Sequence, residues 1–374
     1  MSDHVSRRKV ITALGAALPA ALIAQSGIEM AGPAFDDHDL PKICLEMGNG
    51  GLSAGKLDEG GMRRVRQLGV THVLMGGPRM PWQEDQLRSL QDKLKGGGLT
   101  LGNLMIGGFP KTIYGKPGRD EEIDKVIQSI RAAGAAGLPV IEYNFYAHRA
   151  IEGYYETTGR GGAGITSFDY GRIKDLPPLP EEGAHTLDEI WANITYFLKA
   201  VIPVAEQSNV RLALHPNDPP APVSRGSQQI MGTVEGWKKL IEVVPSKSNG
   251  ITFDCGVTRE MGHDAVETCR YFASRERINH VHYRNVLVEK PYEHYSEVFP
   301  DEGLNNMFAV MRELVNNKYR FLLYPEHPRA MDYDRDRTDF KPYYPGGGSY
   351  TGFAYQVGYA KAMLQAVLAT RSKV

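Results

Sequence analysis

Eight short apolar runs recur along this chain, each followed by a stretch with helical periodicity. The runs cover residues 43–47, 71–75, 99–106, 139–143, 210–215, 251–254, 278–282 and 320–324. In the segment 121–136, Ile123, Val126, Ile127 and Ile130 fall on one helical face. In 187–207, Ile190, Ile194, Phe197, Leu198 and Val201 do the same, as amphipathic helices require. Further helical stretches span 234–244, 263–275, 304–317 and 352–370. Strands that alternate with helices predict a parallel sheet, because parallel neighbours need a long crossover. Eight such units in one domain predict a closed (β/α)8 barrel of the α/β class. No GxGxxG turn opens a helix, so an open dinucleotide-binding sheet is not supported.

The length fits this reading. The chain has 374 residues, 42% of them hydrophobic, and a barrel of this kind needs about 250 residues plus insertions. Two segments exceed ordinary connections: 147–185 after the fourth strand and 331–349 after the eighth. Long loops at the carboxyl ends of barrel strands are where specificity is built. The net charge is −1 and no long basic run occurs, so an electrostatic footprint for nucleic acid is not supported. Cys44, Cys255 and Cys269 are too few and too scattered for a disulfide framework.

The first 30 residues read separately from residues 31–374, which form the single barrel domain. Arg7-Arg8 precedes an apolar, Ala-rich run from Val10 to Ala24, which ends at Gln25-Ser26. This is the layout of an export signal, and the paired arginines resemble a twin-arginine signal. The run is short for a membrane span of ~20 residues. The expectation is an exported, periplasmic protein with no stable membrane association once processed.

Polar residues collect at the ends of the later strands. His215 ends the fifth, Asp254 the sixth, His282 the seventh, and Glu326-His327 follow the eighth. In a barrel these ends converge on one mouth, and imidazole with carboxylate suits a divalent metal such as Mn2+ or Zn2+, with Co2+ or Fe2+ as further candidates. His280 shares the face of His282 but lies deeper, so it can equally hold a neighbour in place. Cys255 is an alternative ligand, although strand alternation sends it away from Asp254. Glu46 and Glu142 either point into the mouth or serve as buried structural carboxylates. Tyr143, Tyr146, Tyr154 and Tyr155 either stack on a sugar face or staple a loop to the rim.

Several segments together resemble the mannonate dehydratase family. They are Tyr143-Asn144-Phe145, 193–206, His215-Pro216-Asn217-Asp218-Pro219-Pro220, Asn249-Gly250-Ile251-Thr252-Phe253, His280-Val281-His282-Tyr283-Arg284-Asn285, Pro325-Glu326-His327 and Ser349-Tyr350-Thr351. The likeness runs in order over about residues 140 to 365 and places the chain in the xylose isomerase-like barrel superfamily. It implies a Mn2+-type lyase that dehydrates D-mannonate to 2-keto-3-deoxy-D-gluconate. Carried over, the metal ligands are His215, Asp254, His282 and Glu326, and His327 and Tyr350 match the catalytic pair. Asn144, Tyr143, Asp218, Arg284 and His280 are the expected substrate contacts. The family usually has a cysteine where Asp254 aligns, and its Pro-Asp-His-Gly reads Pro325-Glu326-His327-Pro328 here. Asp and Glu at these places are closer to the metal set of the sugar epimerases in the same superfamily.

Removal of a proton beside a carboxylate or carbonyl builds charge on oxygen, and a divalent cation stabilises that enediolate. A base takes the proton and an acid protonates the departing hydroxyl. His327 and Tyr350 can divide those roles, with His294 and His148 as rim substitutes. The rival readings are a sugar epimerase or isomerase, an eliminase of keto-glycosides, and a non-catalytic sugar-binding barrel. All of them imply a small sugar or sugar-acid ligand, and homo-oligomerisation is compatible with each.

Overall fold

The computed structural model describes residues 38–48, 54–146 and 152–371. The expected export signal and the residues 147–151, with His148, lie outside them. In chain order the strands are β1 (Lys42–Glu46), β2 (His72–Gly76), β3 (Thr100–Ile106), β4 (Val140–Tyr143), β5 (Tyr154–Thr158), β6 (Gly164–Asp169) and β7 (Arg211–Leu214). There follow the two-residue strands β8 (Val223–Ser224) and β9 (Ser227–Gln228), then β10 (Asn249–Asp254), β11 (Ile278–His282), β12 (Asn285–Lys290), β13 (His294–Val298) and β14 (Leu322–Tyr324). Eight of them close a parallel barrel in the order β1-β14-β11-β10-β7-β4-β3-β2. These are the eight apolar runs of the sequence.

Alternation along each strand sorts the side chains. Asn103, Glu142 and Thr252 point inward and join in a buried layer: Asn103 Nδ2 and Thr252 Oγ1 donate to the two Glu142 oxygens, at 3.0 and 2.8 Å. His280 pairs with Thr252 in register and is fully buried. One residue on, Tyr143 points outward and packs its ring 5.6 Å from Phe197, on the helix Leu187–Gln207. That helix starts at a capping box in which Thr186 and Glu189 satisfy each other's backbone N–H groups, two of the donors a helix start leaves unpaired.

Both expected insertions are ordered structure in their described parts. The first carries β5 and β6, which join β12 and β13 in a separate antiparallel sheet, β12-β13-β6-β5. Tyr154, Phe168 and Tyr295 hold it together, with Phe168 stacked 4.9 Å from Tyr295. The β12–β13 hairpin was not anticipated from the sequence, where 283–303 reads as a connection. In the second insertion, Asp334 accepts from the backbone N–H of Ser349, Thr351 and Gly352. It thereby anchors the start of the closing helix Tyr350–Arg371. None of the described helices is long and apolar enough to cross a membrane.

Candidate active site and metal centre

The carboxyl ends of the barrel strands surround a cavity of about 230 Å3. Its floor is built from strand ends. His215 follows β7, and its Nδ1 faces the Pro216 carbonyl at 2.7 Å, which leaves Nε2 to point inward. Asp254 ends β10 and caps the helix Cys255–Glu260, with Oδ1 accepting from Val257 N at 2.8 Å. Its Oδ2 thus turns toward His282 Nδ1, 3.8 Å away. His282 Nδ1 also lies 3.2 Å from His215 Nε2 and 3.0 Å from Glu326 Oε1.

The donor atoms of His215, Asp254 and His282 all lie within 4.8 Å of one another. Glu326 joins them through His282. A second set, Glu142, His280 and His282, meets the same criterion one layer deeper. Two imidazoles crowded against buried carboxylates are a donor set that a divalent cation stabilises. The residues present therefore fit a divalent metal.

Electrostatics point the same way. Burial alone depresses an imidazole, yet Glu326, Asp254 and Glu142 hold the His282 pKa well above its usual value. That concentration of negative charge favours any cation, a proton or a metal alike. Glu46, also in the cavity wall, is pushed up to about 7 by burial and then by the charges of Glu142 and Glu326. Both glutamates left open in the sequence thus face the mouth, and Glu142 is held by Asn103 and Thr252.

Arg284 lies beneath the site. Its Nε bonds Asp254 Oδ2 at 3.1 Å and Glu326 Oε1 at 3.2 Å, its Nη1 bonds Glu260 at 2.6 Å, and its Nη2 bonds Asp218 at 3.0 Å. It is 2% exposed. The expected substrate contact is corrected here: Arg284 is the internal counter-charge of the carboxylates, and its fork is already used.

Other expected residues separate in the same way. Asn144 and Asp218 line the cavity; the Asn144 Oδ1 is buried with no hydrogen-bond partner among the described residues. Asp218 Oδ1 accepts from the Tyr154 hydroxyl at 2.6 Å. Tyr143 is not a substrate contact, because alternation turns it toward the helices. His280 does not reach the cavity either, because it sits one inward position below His282 on β11. Cys255 opens a helix on the far side of Asp254 and belongs to neither donor set. Burial, then the Asp254 charge, pushes its thiol well above the usual range. His294 is on the separate sheet, 3.5 Å from Asp169, and is not in the cavity wall.

His327 lines the cavity. Tyr350 does not: its hydroxyl donates to the Arg64 carbonyl at 3.0 Å, since the helix that Asp334 anchors begins there and carries it away from the mouth. The tyrosines that do line the cavity are Tyr154, Tyr324, Tyr343 and Tyr344. The Tyr344 ring lies 4.8 Å from that of His327. Sequence reasoning missed Tyr344, Glu260, Glu297 and Arg329. The last two meet at His327, where Glu297 Oε2 lies 2.9 Å from Nδ1 and accepts from Arg329 Nη2 at 2.8 Å.

With this geometry in hand, comparison with known proteins decides the family. A family model described as D-mannonate dehydratase matches residues 183–373. The chain belongs to the D-mannonate dehydratase family. A mannonate dehydratase of Streptococcus agalactiae is 27% identical over 313 residues, 76% of this chain and 88% of that one. The crystal structure of mannonate dehydratase from Streptococcus suis superposes with a TM-score of 0.78 at 25% identity, covering 89% of this chain and 97% of that one. A xylose isomerase domain protein from Planctomyces limnophilus, 14% identical, has a TM-score of 0.54, covering 90% of this chain and 100% of that one; it shares the fold. The chain is an enzyme of the sugar-acid dehydratase class on a xylose isomerase-like barrel, with a buried His, Asp and Glu cluster suited to a divalent metal.

Proposed function

We propose that this member of the D-mannonate dehydratase family converts D-mannonate, or a closely related sugar acid, to the 2-keto-3-deoxy acid, with Mn2+ held by His215, Asp254, His282 and Glu326. The observation that carries the reading is the convergence of His215, His282 and Glu326 on the floor of a cavity whose wall bears His327, with Asp254 buried directly behind His215 and His282. The bound cation would supply Lewis-acid stabilisation of the charge that develops on substrate oxygen.

The protein's own groups account for the rest. With Nδ1 committed to Glu297, Nε2 of His327, 3.5 Å from Glu326 Oε2, is the ring nitrogen available for proton transfer in the cavity. The proton at C2 leaves, the C3 hydroxyl departs as water after protonation, and the resulting enol becomes the ketone. Tyr344 and Glu46, both in the wall, are the groups placed to hold or deliver the second proton; burial keeps the Glu46 carboxyl protonated further into the neutral range than usual. Asn144 Oδ1, buried and unpartnered among the described residues, would accept from a substrate hydroxyl.

One observation favours a second reading. The described cavity wall contains Glu46, Glu142, Asp218, Glu297 and Glu326 but no lysine or arginine. A neutral keto-sugar, epimerised or cleaved through the same proton removal, suits such a wall. Mass analysis of the product separates the two. Dehydration of D-mannonate yields a product lighter by one water; a product of unchanged mass, or turnover confined to neutral keto-sugars, replaces the dehydratase reading with the second one.

A further inference from the structure

The inserted sheet does more than cover the barrel, because it delivers one carboxylate to the site. Glu297 lies on β13 and is 2% exposed. Its Oε2 sits 2.9 Å from His327 Nδ1 and accepts from Arg329 Nη2 at 2.8 Å. Arg329 Nη1 also bonds the Glu297 carbonyl at 3.0 Å, and its Nε and Nη2 bond the His327 carbonyl at 3.1 and 2.7 Å. Arg329 thus clamps both partners, and its guanidinium is 1% exposed or less. The backbone of His327 is in the left-handed region, at φ 51°, which costs a residue with a Cβ free energy unless its surroundings hold it.

We infer that Glu297 is a positioning residue. By accepting from Nδ1–H it fixes the ring orientation and tautomer of His327, so that Nε2 is the nitrogen presented to substrate. A carboxylate behind an imidazole does this wherever one ring nitrogen must be committed for the other to work. Glu297 acts through His327 and has no proton-transfer duty of its own. The cost of losing such a partner is commonly 10- to 100-fold. The inference rests on the reading of His327 as the proton-transfer group, and it ties the β5–β6 and β12–β13 insertions to the chemistry.

The test has one arm that needs no substrate. Protein labelled with 15N-histidine and loaded with diamagnetic Zn2+ is compared as wild type, Glu297→Gln and His327→Gln. The signal lost in His327→Gln identifies the ring. In wild type that ring carries its proton on Nδ1; in Glu297→Gln it shifts toward the Nε2–H form. An unchanged pattern overturns the inference whatever the substrate proves to be.

The second arm is kinetic, on D-mannonate. Glu297→Gln should lower kcat about 10- to 100-fold with KM changed less than about threefold. In a His327→Gln background the same change should cost less than about twofold, because the two residues act as one unit. Equal losses in both backgrounds overturn the inference by showing that Glu297 acts independently. Glu297→Asp keeps the charge on Arg329 while withdrawing it from His327; if Glu297→Gln folds poorly, Glu297→Asp must show the same loss of kcat and the same non-additivity, and full activity in it overturns the assignment. Failure of D-mannonate turnover in wild type, with the ring shift still present, counts against the substrate alone.

Discussion

His282→Ala is expected to empty the metal centre and leave the barrel folded. His282 is the member common to both donor sets, and its ring stands between His215, Asp254 and Glu326 on one side and Glu142 on the other. Asp254 and Glu326 would still be tied to Arg284, so the acids keep a counter-charge and the core is not opened. Lewis-acid stabilisation is worth several kcal/mol, and about 4 kcal/mol corresponds to roughly 10^3-fold in rate. The variant should therefore lose nearly all turnover while its circular dichroism and urea midpoint stay close to wild type. Elemental analysis after desalting gives the direct answer: stoichiometric metal in His282→Ala would remove this residue from the ligand set.

Arg284→Met should be the most damaging change to stability. The guanidinium is the shared partner of Asp218, Asp254, Glu260 and Glu326, and all four acids are buried. Methionine fills similar length but leaves the carboxylates facing one another. Breaking a buried pair by removing one partner costs about 3–5 kcal/mol, because the remaining charge is left uncompensated. Burial already holds the Glu260 pKa well above the ordinary range, against the pull of Arg284, so loss of the arginine drives that acid further toward its neutral form and leaves Asp218, Asp254 and Glu326 to bear the uncompensated charge. Urea denaturation would register the loss as a lower midpoint. A deficit under about 1 kcal/mol would mean that surface relaxation or water supplies the missing charge partner.

The barrel was legible because period and count survive without any tertiary information. Eight apolar runs at strand length, each joined by a 3.6-period stretch, leave few topologies open. The strand-end cluster proposed to hold the metal was legible for a related reason. Asp254, His282 and Glu326 are polar groups at strand ends, and parity of position tells which face they take. The same parity predicts that Cys255 turns outward. Applied two barrel strands earlier, it also puts Tyr143 outside once Glu142 is placed inside, a step the aromatic content of that segment obscured.

What the sequence did not carry lies on elements that alternation along the barrel strands does not describe. Glu297 and Tyr344 reach the site from a separate hairpin and from a loop. Glu297 is one position in a five-residue strand between polar turns, and only the pairing of β13 with β6 and β12 brings it over the mouth. Tyr350 shows the reverse case. It matches a family position in the linear order, yet the start of its helix is set by Asp334, fifteen residues or more upstream of the N–H groups it caps, and the side chain ends on Arg64. From sequence alone, Arg284 reads as a substrate contact because its internal partners, Asp218 above all, are distant in sequence and carry no local signature.

The central claim is a metal centre that drives dehydration of a sugar acid. The most direct measurement is 2-keto acid formation from D-mannonate by protein stripped with a chelator, then titrated with Mn2+. The account predicts no product from the stripped protein and activity that rises to a plateau as one equivalent of metal is taken up. Product formation that is indifferent to chelation would contradict the metal centre; stoichiometric binding of Mn2+ with no 2-keto acid would contradict the substrate.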